Sequence, residues 1–486
     1  MRKLKCIIIV LILILFWILL KWNNVYQFYH WKGQDFLKRN QDFLSNTIEA
    51  LEYPNFVNES FDCNPNYISE IDNFIKNNAS LHKCVTFAVF FTEYDFYKLQ
   101  LTVESILKYV DAKFIKEIII VNVNPYLDHI NLEAENYVEF MNLNLLFKVK
   151  YVAVDEFHNM NAKNLVVDLV ESTYAIFIES NAFILNFFFE SLLYEIARDK
   201  SDFVVPFIHD IDSFGHMEII PRNRNECFIF DNSFNLIRID CSNIYSVKKK
   251  DSFHTVPIMP GVVYGFIASK LKNSQYLLYD SNIYFQAASQ ISLSLRSWQC
   301  GKGIIQSKCS NVAAYTHELR YTTTISNDAN ILLNTVLKSF KNEFYSINHK
   351  KFQDTRYTGT QYSIISNLKC KSFDWYHSNH LKNILLPKKN TVHIGILVSL
   401  TNLCLNEKLI LISCNLKVFK TYNPKVVFEY TAQNQIKLGS QCLTIKKYFL
   451  EMNKCLSVNG TPHKNQTFVY SFYTFYNTNN DEYKLL

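Results

Sequence analysis

Between residues 85 and 207 the chain alternates short apolar runs with segments of helical spacing, and this rhythm narrows the possible folds sharply. Val85–Phe91, Ile118–Val121, Leu145–Val154, Tyr174–Ile178 and Phe203–Phe207 read as strands. Tyr97–Tyr109, with Leu99, Val103, Ile106 and Leu107 at helical spacing, reads as a helix, as do Ala162–Val170 and Phe188–Ala197. Continuously apolar strands need cover on both faces, so β-α-β order predicts a parallel sheet between helical layers. Ligands of such sheets sit beyond the strand C-termini. In Tyr174–Leu185 (Y-A-I-F-I-E-S-N-A-F-I-L) that place holds Glu179. A carboxylate there is either a metal ligand or a loop cap, and the strand pattern alone leaves both open.

With 486 residues the chain is long enough for two globular units. Its +6 charge is spread out, and Lys248-Lys249-Lys250 is a single short run, so a nucleic-acid partner is not expected. Arg2, Lys3 and Lys5 precede the apolar run Cys6–Leu20, and Lys21 and Trp22 follow it. That pattern predicts a signal-anchor helix over 6–22, a cytoplasmic tail over 1–5 and a lumenal bulk, the type II arrangement. A cleaved signal peptide is the alternative, but no small-x-small cleavage site follows. The short span suits the thinner bilayers of the early secretory pathway. An oxidising lumen lets most of the twelve cysteines pair. Sequons at Asn58, Asn78, Asn459 and Asn465 all follow the anchor as glycan acceptors must.

Residues 23–62 read as a stem. Past Pro257 the signals are mixed, with a helix expected around Ala287–Trp298. A break over 379–389 separates a first unit, 63–378, from a tail of short strands, 390–486. In the tail, Cys404 and Cys414 recur as Cys442 and Cys455 about 40 residues later, which suggests a repeated, β-trefoil-like module.

Several segments together carry a family resemblance. Leu99–Ile106 followed by Ile115-Lys-Glu-Ile-Ile-Ile-Val121 resembles "TVHSV…EEIVLV". Ile258-Met-Pro-Gly261 resembles "TMAGG", Leu293-Ser-Leu-Arg-Ser-Trp-Gln-Cys-Gly301 resembles "ISFRIWQCGG", and Cys309-Ser-Asn-Val resembles "CSHVGH". Phe340-Lys-Asn-Glu-Phe-Tyr345 and Cys370-Lys-Ser-Phe-Asp-Trp-Tyr376 resemble "EFKNFFY" and "CKPFSWYL". In this order they resemble the polypeptide N-acetylgalactosaminyltransferases: type II Golgi enzymes with a GT-A catalytic domain and a ricin-type lectin domain. The resemblance implies a GT-A sandwich followed by a shortened β-trefoil, and transfer of GalNAc from UDP-GalNAc to Ser or Thr of a protein acceptor. It also implies disulfides Cys63–Cys309, Cys300–Cys370, Cys404–Cys414 and Cys442–Cys455. Cys227 and Cys241 lie outside that framework and could pair with each other, and Cys84 is expected as a buried free thiol.

The same resemblance implies Mn²⁺, which holds the departing diphosphate. The family's Asp-x-His ligands fall on Glu179 and Asn181, and its third ligand falls on Ala314, with His317 three residues further on. The nucleotide-contacting positions fall on Glu93, Asn122, Asn161 and Lys163, and the acidic "GGEN" segment reads Ala287-Ala288-Ser289-Gln290. The lectin "CLD" aspartates are replaced at Asn406 and Thr444. Losing one well-placed electrostatic group typically costs ~10²–10³ in rate. Two readings follow: a transferase with a degenerate metal site, or a catalytically silent Golgi protein binding glycoproteins or a sister transferase. A different GT-A transferase is disfavoured by the Cys370 motif and the lectin-like tail.

Overall fold

The computed structural model describes residues 63–92, 96–123, 128–154, 159–211, 219–220, 226–230, 236–245, 252–279, 286–315, 370–381, 391–399, 403–413, 427–446, 449–458, 461–471, 474–477 and 484–485. Helix α1 (Pro65–Asn77) starts at Asn64, whose side chain accepts from the Asn66 amide, and Pro65 supplies the fixed φ of a first helical position. Then follow β1 (Val85–Phe91), α2 (Phe96–Tyr109), β2 (Ile115–Asn122), α3 (Asp128–Asn144), β3 (Lys148–Ala153), α4 (Asn159–Leu169), β4 (Tyr174–Glu179) and β5 (Ala182–Ile184). The unit continues with α5 (Phe188–Ala197), β6 (Phe203–Ile211), β7 (Ile219–Ile220), β8 (Glu226–Phe230), β9 (Leu236–Asp240), β10 (Phe253–Thr255), β11 (Val263–Ile267), α6 (Ala268–Asn273), α7 (Gln286–Cys300), β12 (Ile304–Ala314) and α8 (Phe373–His380).

The main sheet runs β10-β12-β6-β11-β4-β1-β2-β3, with β5 added to β12 and β7 to β6. Strands β4, β1, β2 and β3 are mutually parallel, and β6 is parallel to β12. Strand β11 runs antiparallel to both β4 and β6, so the sheet is mixed where a parallel one was expected. Side-chain alternation builds a core on each face. Ala88 and Phe90 join Val166, Val170, Phe177, Tyr264 and Leu295 on one side. Phe87, Val89 and Phe91 join Leu99, Val103, Ile106, Phe189 and Leu193 on the other.

Two elements differ from expectation. The α3 helix was unassigned, because its buried Ala134, Tyr137, Val138 and Met141 are embedded among many polar residues. Strand β6 runs four residues past Phe207 and buries His209 and Asp210, polar residues that end the apolar pattern in sequence.

Disulfides Cys63–Cys309, Cys227–Cys241, Cys300–Cys370 and Cys442–Cys455 are formed. Cys404 is disulfide-bonded, while Cys414 lies outside the described residues. Cys84 is a buried free thiol, and burial pushes its pKa up to about 11. Beyond residue 390 the strands pair antiparallel, five of them in one sheet, around Leu405, Phe428, Ile436, Leu443 and Phe468. Among the described residues no helix is long and apolar enough to cross a membrane, and the expected anchor, 6–22, lies outside them.

Candidate functional site

The tip of β4 is held from several sides. The Glu179 amide donates to the Val262 carbonyl at 2.9 Å, and the Ser180 amide to the Phe90 carbonyl at 2.8 Å. The Thr102 hydroxyl donates to the Ser180 carbonyl at 2.9 Å, and the Tyr315 amide to the Asn181 carbonyl at 3.1 Å. The turn after β4 is therefore pinned by β1, α2, the end of β12 and the segment leading into β11. Beside it, Gly261 sits at φ +77°, where a side chain is disfavoured, and a Cβ there would overlap the Gln290 amide. The "TMAGG"-like and "GGEN"-like positions thus meet at Gly261 and Gln290.

Glu179 forms an ion pair with Lys163 of α4. Lys163 is 1% exposed and Glu179 12%. The ammonium lies 5.4, 5.8 and 5.7 Å from the ring centroids of Phe90, Tyr264 and Tyr279, within range of favourable cation–π contact. The Tyr264 and Tyr279 hydroxyls are 2.8 Å apart. Burial pulls the Lys163 pKa down, but the charge and hydrogen bond of Glu179 outweigh it, and the net direction is up. Lys163 is a buried ammonium paired with a carboxylate at the strand tip.

The other sequence candidates are spread around this pair. Asn122 ends β2 and donates to Asn131 at 2.8 Å and to the Tyr151 hydroxyl at 3.3 Å, so its amide takes part in a network with α3 and β3. Asn161 lies in α4, two residues before Lys163. Asn181 carries a buried side-chain oxygen with no hydrogen-bond partner. Ala314, buried, pairs with Ala182 of β5. Glu93 and His317 lie outside the described residues. Among the glycan candidates, Asn78 is half-buried with its amide on the Phe74 carbonyl, Asn465 is exposed, and Asn58 and Asn459 lie outside.

A polar group that sequence reasoning missed lies along β6 and β12. Register pairs His209 with Ala313 and Asp210 with Ala314. His209 meets Asn311 at 3.2 Å, and Arg238 of β9 binds Asp210 at 3.0 Å and approaches Glu226 at 3.8 Å. The only sequence signal was the His-Asp pair directly after an apolar run.

A divalent metal needs several oxygen or imidazole donors converging on one point. The single carboxylate is engaged by an ammonium, the amide oxygen of Asn181 is one weak donor, and Ala314 supplies none. Among the described residues no cluster of three or more His, Cys, Asp or Glu side chains could hold a metal ion. With the Lys163 ammonium on Glu179, these residues do not fit the ion.

Strand order and sheet define a mixed α/β fold of the GT-A type. The crystal structure of GalNAc-T7 with UDP, GalNAc and Mn²⁺ superposes with a TM-score of 0.57 at 18% identity, covering 82% of this chain and 76% of that one. No family model matches the chain. Human polypeptide N-acetylgalactosaminyltransferase 6 is 26% identical over 389 residues, 73% of this chain and 60% of the relative. The human transferase 13 is 24% identical over 71% of this chain and 64% of the relative, and the mouse transferase 4 is 25% identical over 70% and 60%. The chain spans about three-fifths of the length of the curated relatives it matches. Over about 70% of its length the chain is thus similar, at about a quarter identity, to polypeptide N-acetylgalactosaminyltransferases, and it shares the fold of GalNAc-T7.

Proposed function

We propose that the protein is a polypeptide N-acetylgalactosaminyltransferase-like protein that keeps the family's groove without metal-assisted transfer, and binds glycoproteins or a partner transferase. The carrying observation is the Lys163–Glu179 ion pair, which engages the one carboxylate of Tyr174–Leu185. In this reading the bulk lies in the Golgi lumen behind an anchor at 6–22, and 390–486 is a lectin-like module with weak carbohydrate affinity.

Active transfer of GalNAc from UDP-GalNAc to Ser or Thr of a protein is the second reading. The persistence of the scaffold favours it: sheet, cross-links and the Trp298–Cys300 segment are intact. On that reading Mn²⁺ would be held by donors such as Glu179, Asn181 and His317. Calorimetry of the purified protein with UDP, with and without Mn²⁺, separates the two. Metal-dependent binding at micromolar UDP overturns the non-catalytic reading, and no binding at millimolar UDP overturns the transferase reading.

A further inference from the structure

We propose that Lys163 is a built-in cation standing where the family's divalent ion would sit, and that its ammonium closes the β4 tip to Mn²⁺. The inference rests on the reading of the tip as the family's metal position.

Three observations carry it. The first is occupancy: the Lys163 ammonium contacts the Glu179 carboxylate, the only carboxylate within Tyr174–Leu185. A metal on Glu179 would have to displace it. The second is confinement. Lys163 is essentially buried, flanked by the rings of Phe90, Tyr264 and Tyr279. The next residue of its helix, Asn164, is tied through its side-chain amide to the Tyr279 backbone by two hydrogen bonds at 2.9 and 2.8 Å. A displaced ammonium would be stranded among aromatic rings without a counter-ion, which is strongly unfavourable. The third is charge. A divalent ion on one carboxylate leaves a net +1 at the tip, whereas ammonium on carboxylate leaves zero. Lys163 therefore satisfies Glu179 but does not reproduce the excess positive charge that draws a diphosphate.

The test uses the full chain and MnCl₂ alone, with bound ion read from the loss of the free Mn²⁺ electron paramagnetic resonance signal. Wild type and Glu179→Gln are expected to bind the same amount of Mn²⁺ at other acidic sites. Lys163→Met is expected to bind one further ion at least tenfold more tightly than Lys163→Met/Glu179→Gln. The proposal is overturned if wild type holds an ion that Glu179→Gln lacks. It is equally overturned if folded Lys163→Met gains nothing over the double variant, because the ion would then be excluded by something other than Lys163. Should Lys163→Met not fold, the comparison of wild type with Glu179→Gln still decides. None of these arms contains UDP, so a failure of the proposed function in the nucleotide titration is distinguishable from a failure here.

Discussion

Asn164 and Tyr279 are 115 residues apart in sequence and are joined by both hydrogen bonds that a side-chain amide can make to one residue's backbone. The Asn164 amide nitrogen donates to the Tyr279 carbonyl, and its oxygen accepts from the Tyr279 amide. This clamp fixes the register of α4 against the aromatic wall around Lys163. Asn164→Ala leaves a half-buried backbone donor and acceptor without partners, at roughly 1–3 kcal/mol. We expect the denaturant midpoint to fall with an unchanged m-value; an unchanged midpoint would show that the clamp adds nothing.

Lys163→Met removes one partner of a largely buried ion pair and leaves Glu179 uncompensated, with a cost on the order of 3 kcal/mol. Adding Glu179→Gln should recover a good part of that loss. A double-mutant cycle in urea measures the coupling, and additive effects would mean that the two side chains do not act as a pair.

His380 sets an acid limit. Burial, reinforced by the Lys371 charge, pulls its pKa down to about 4 from the usual 6.5. Its ring lies 3.9 Å from that of Trp298, and its Nδ1 meets the Tyr245 hydroxyl at 2.7 Å. The folded state holds it neutral, so the unfolded state binds the extra proton first. Stability from this group is present above pH 6.5 and is lost as pH falls through about 4, roughly 2–3 kcal/mol in all. His380→Phe should flatten the melting temperature against pH across that window, and an equal slope in both proteins would exclude His380 as the cause.

Glu104 acts in the opposite direction. Burial raises its pKa to about 7 from 4.5, and one of its carboxylate oxygens has no hydrogen-bond partner. The folded state keeps the proton while the unfolded state releases it, so stability falls as pH rises from 4.5 through 7. Allowing for partial solvent screening, we expect Glu104→Gln to be more stable than wild type by about 1 kcal/mol above pH 7 and no more stable below pH 4.5. Chemical denaturation at pH 4 and pH 8 checks this, and a gain of equal size at both would point to helix propensity instead.

Much of the fold was legible because apolar strands and amphipathic helices announce themselves by period. Val85–Phe91 is recovered residue for residue, and the helix expected at Ala287–Trp298 is α7, two residues longer at its C-terminal end and one at its start. The α3 helix was not legible, since a narrow buried stripe among Asn and Glu residues resembles a polar loop. Nor was the antiparallel β11, because strand direction is set by tertiary contacts that leave no periodic trace. At the site, Glu179 and Lys163 were each legible singly through the family resemblance. Their pairing was not, because sixteen residues of chain separate them and only the packing of α4 against β1 and β4 brings them together.

The two long cross-links of the first unit overlap in sequence: Cys63–Cys309 and Cys300–Cys370 share the stretch from 300 to 309. Any single peptide-bond cleavage between residues 63 and 370 therefore leaves both halves covalently tied. A singly nicked molecule would migrate as intact chain until reduced, so one protease cut between these cysteines releases no fragment. Separating the two halves after one such cut becomes a two-key event, requiring a reductant as well as a protease.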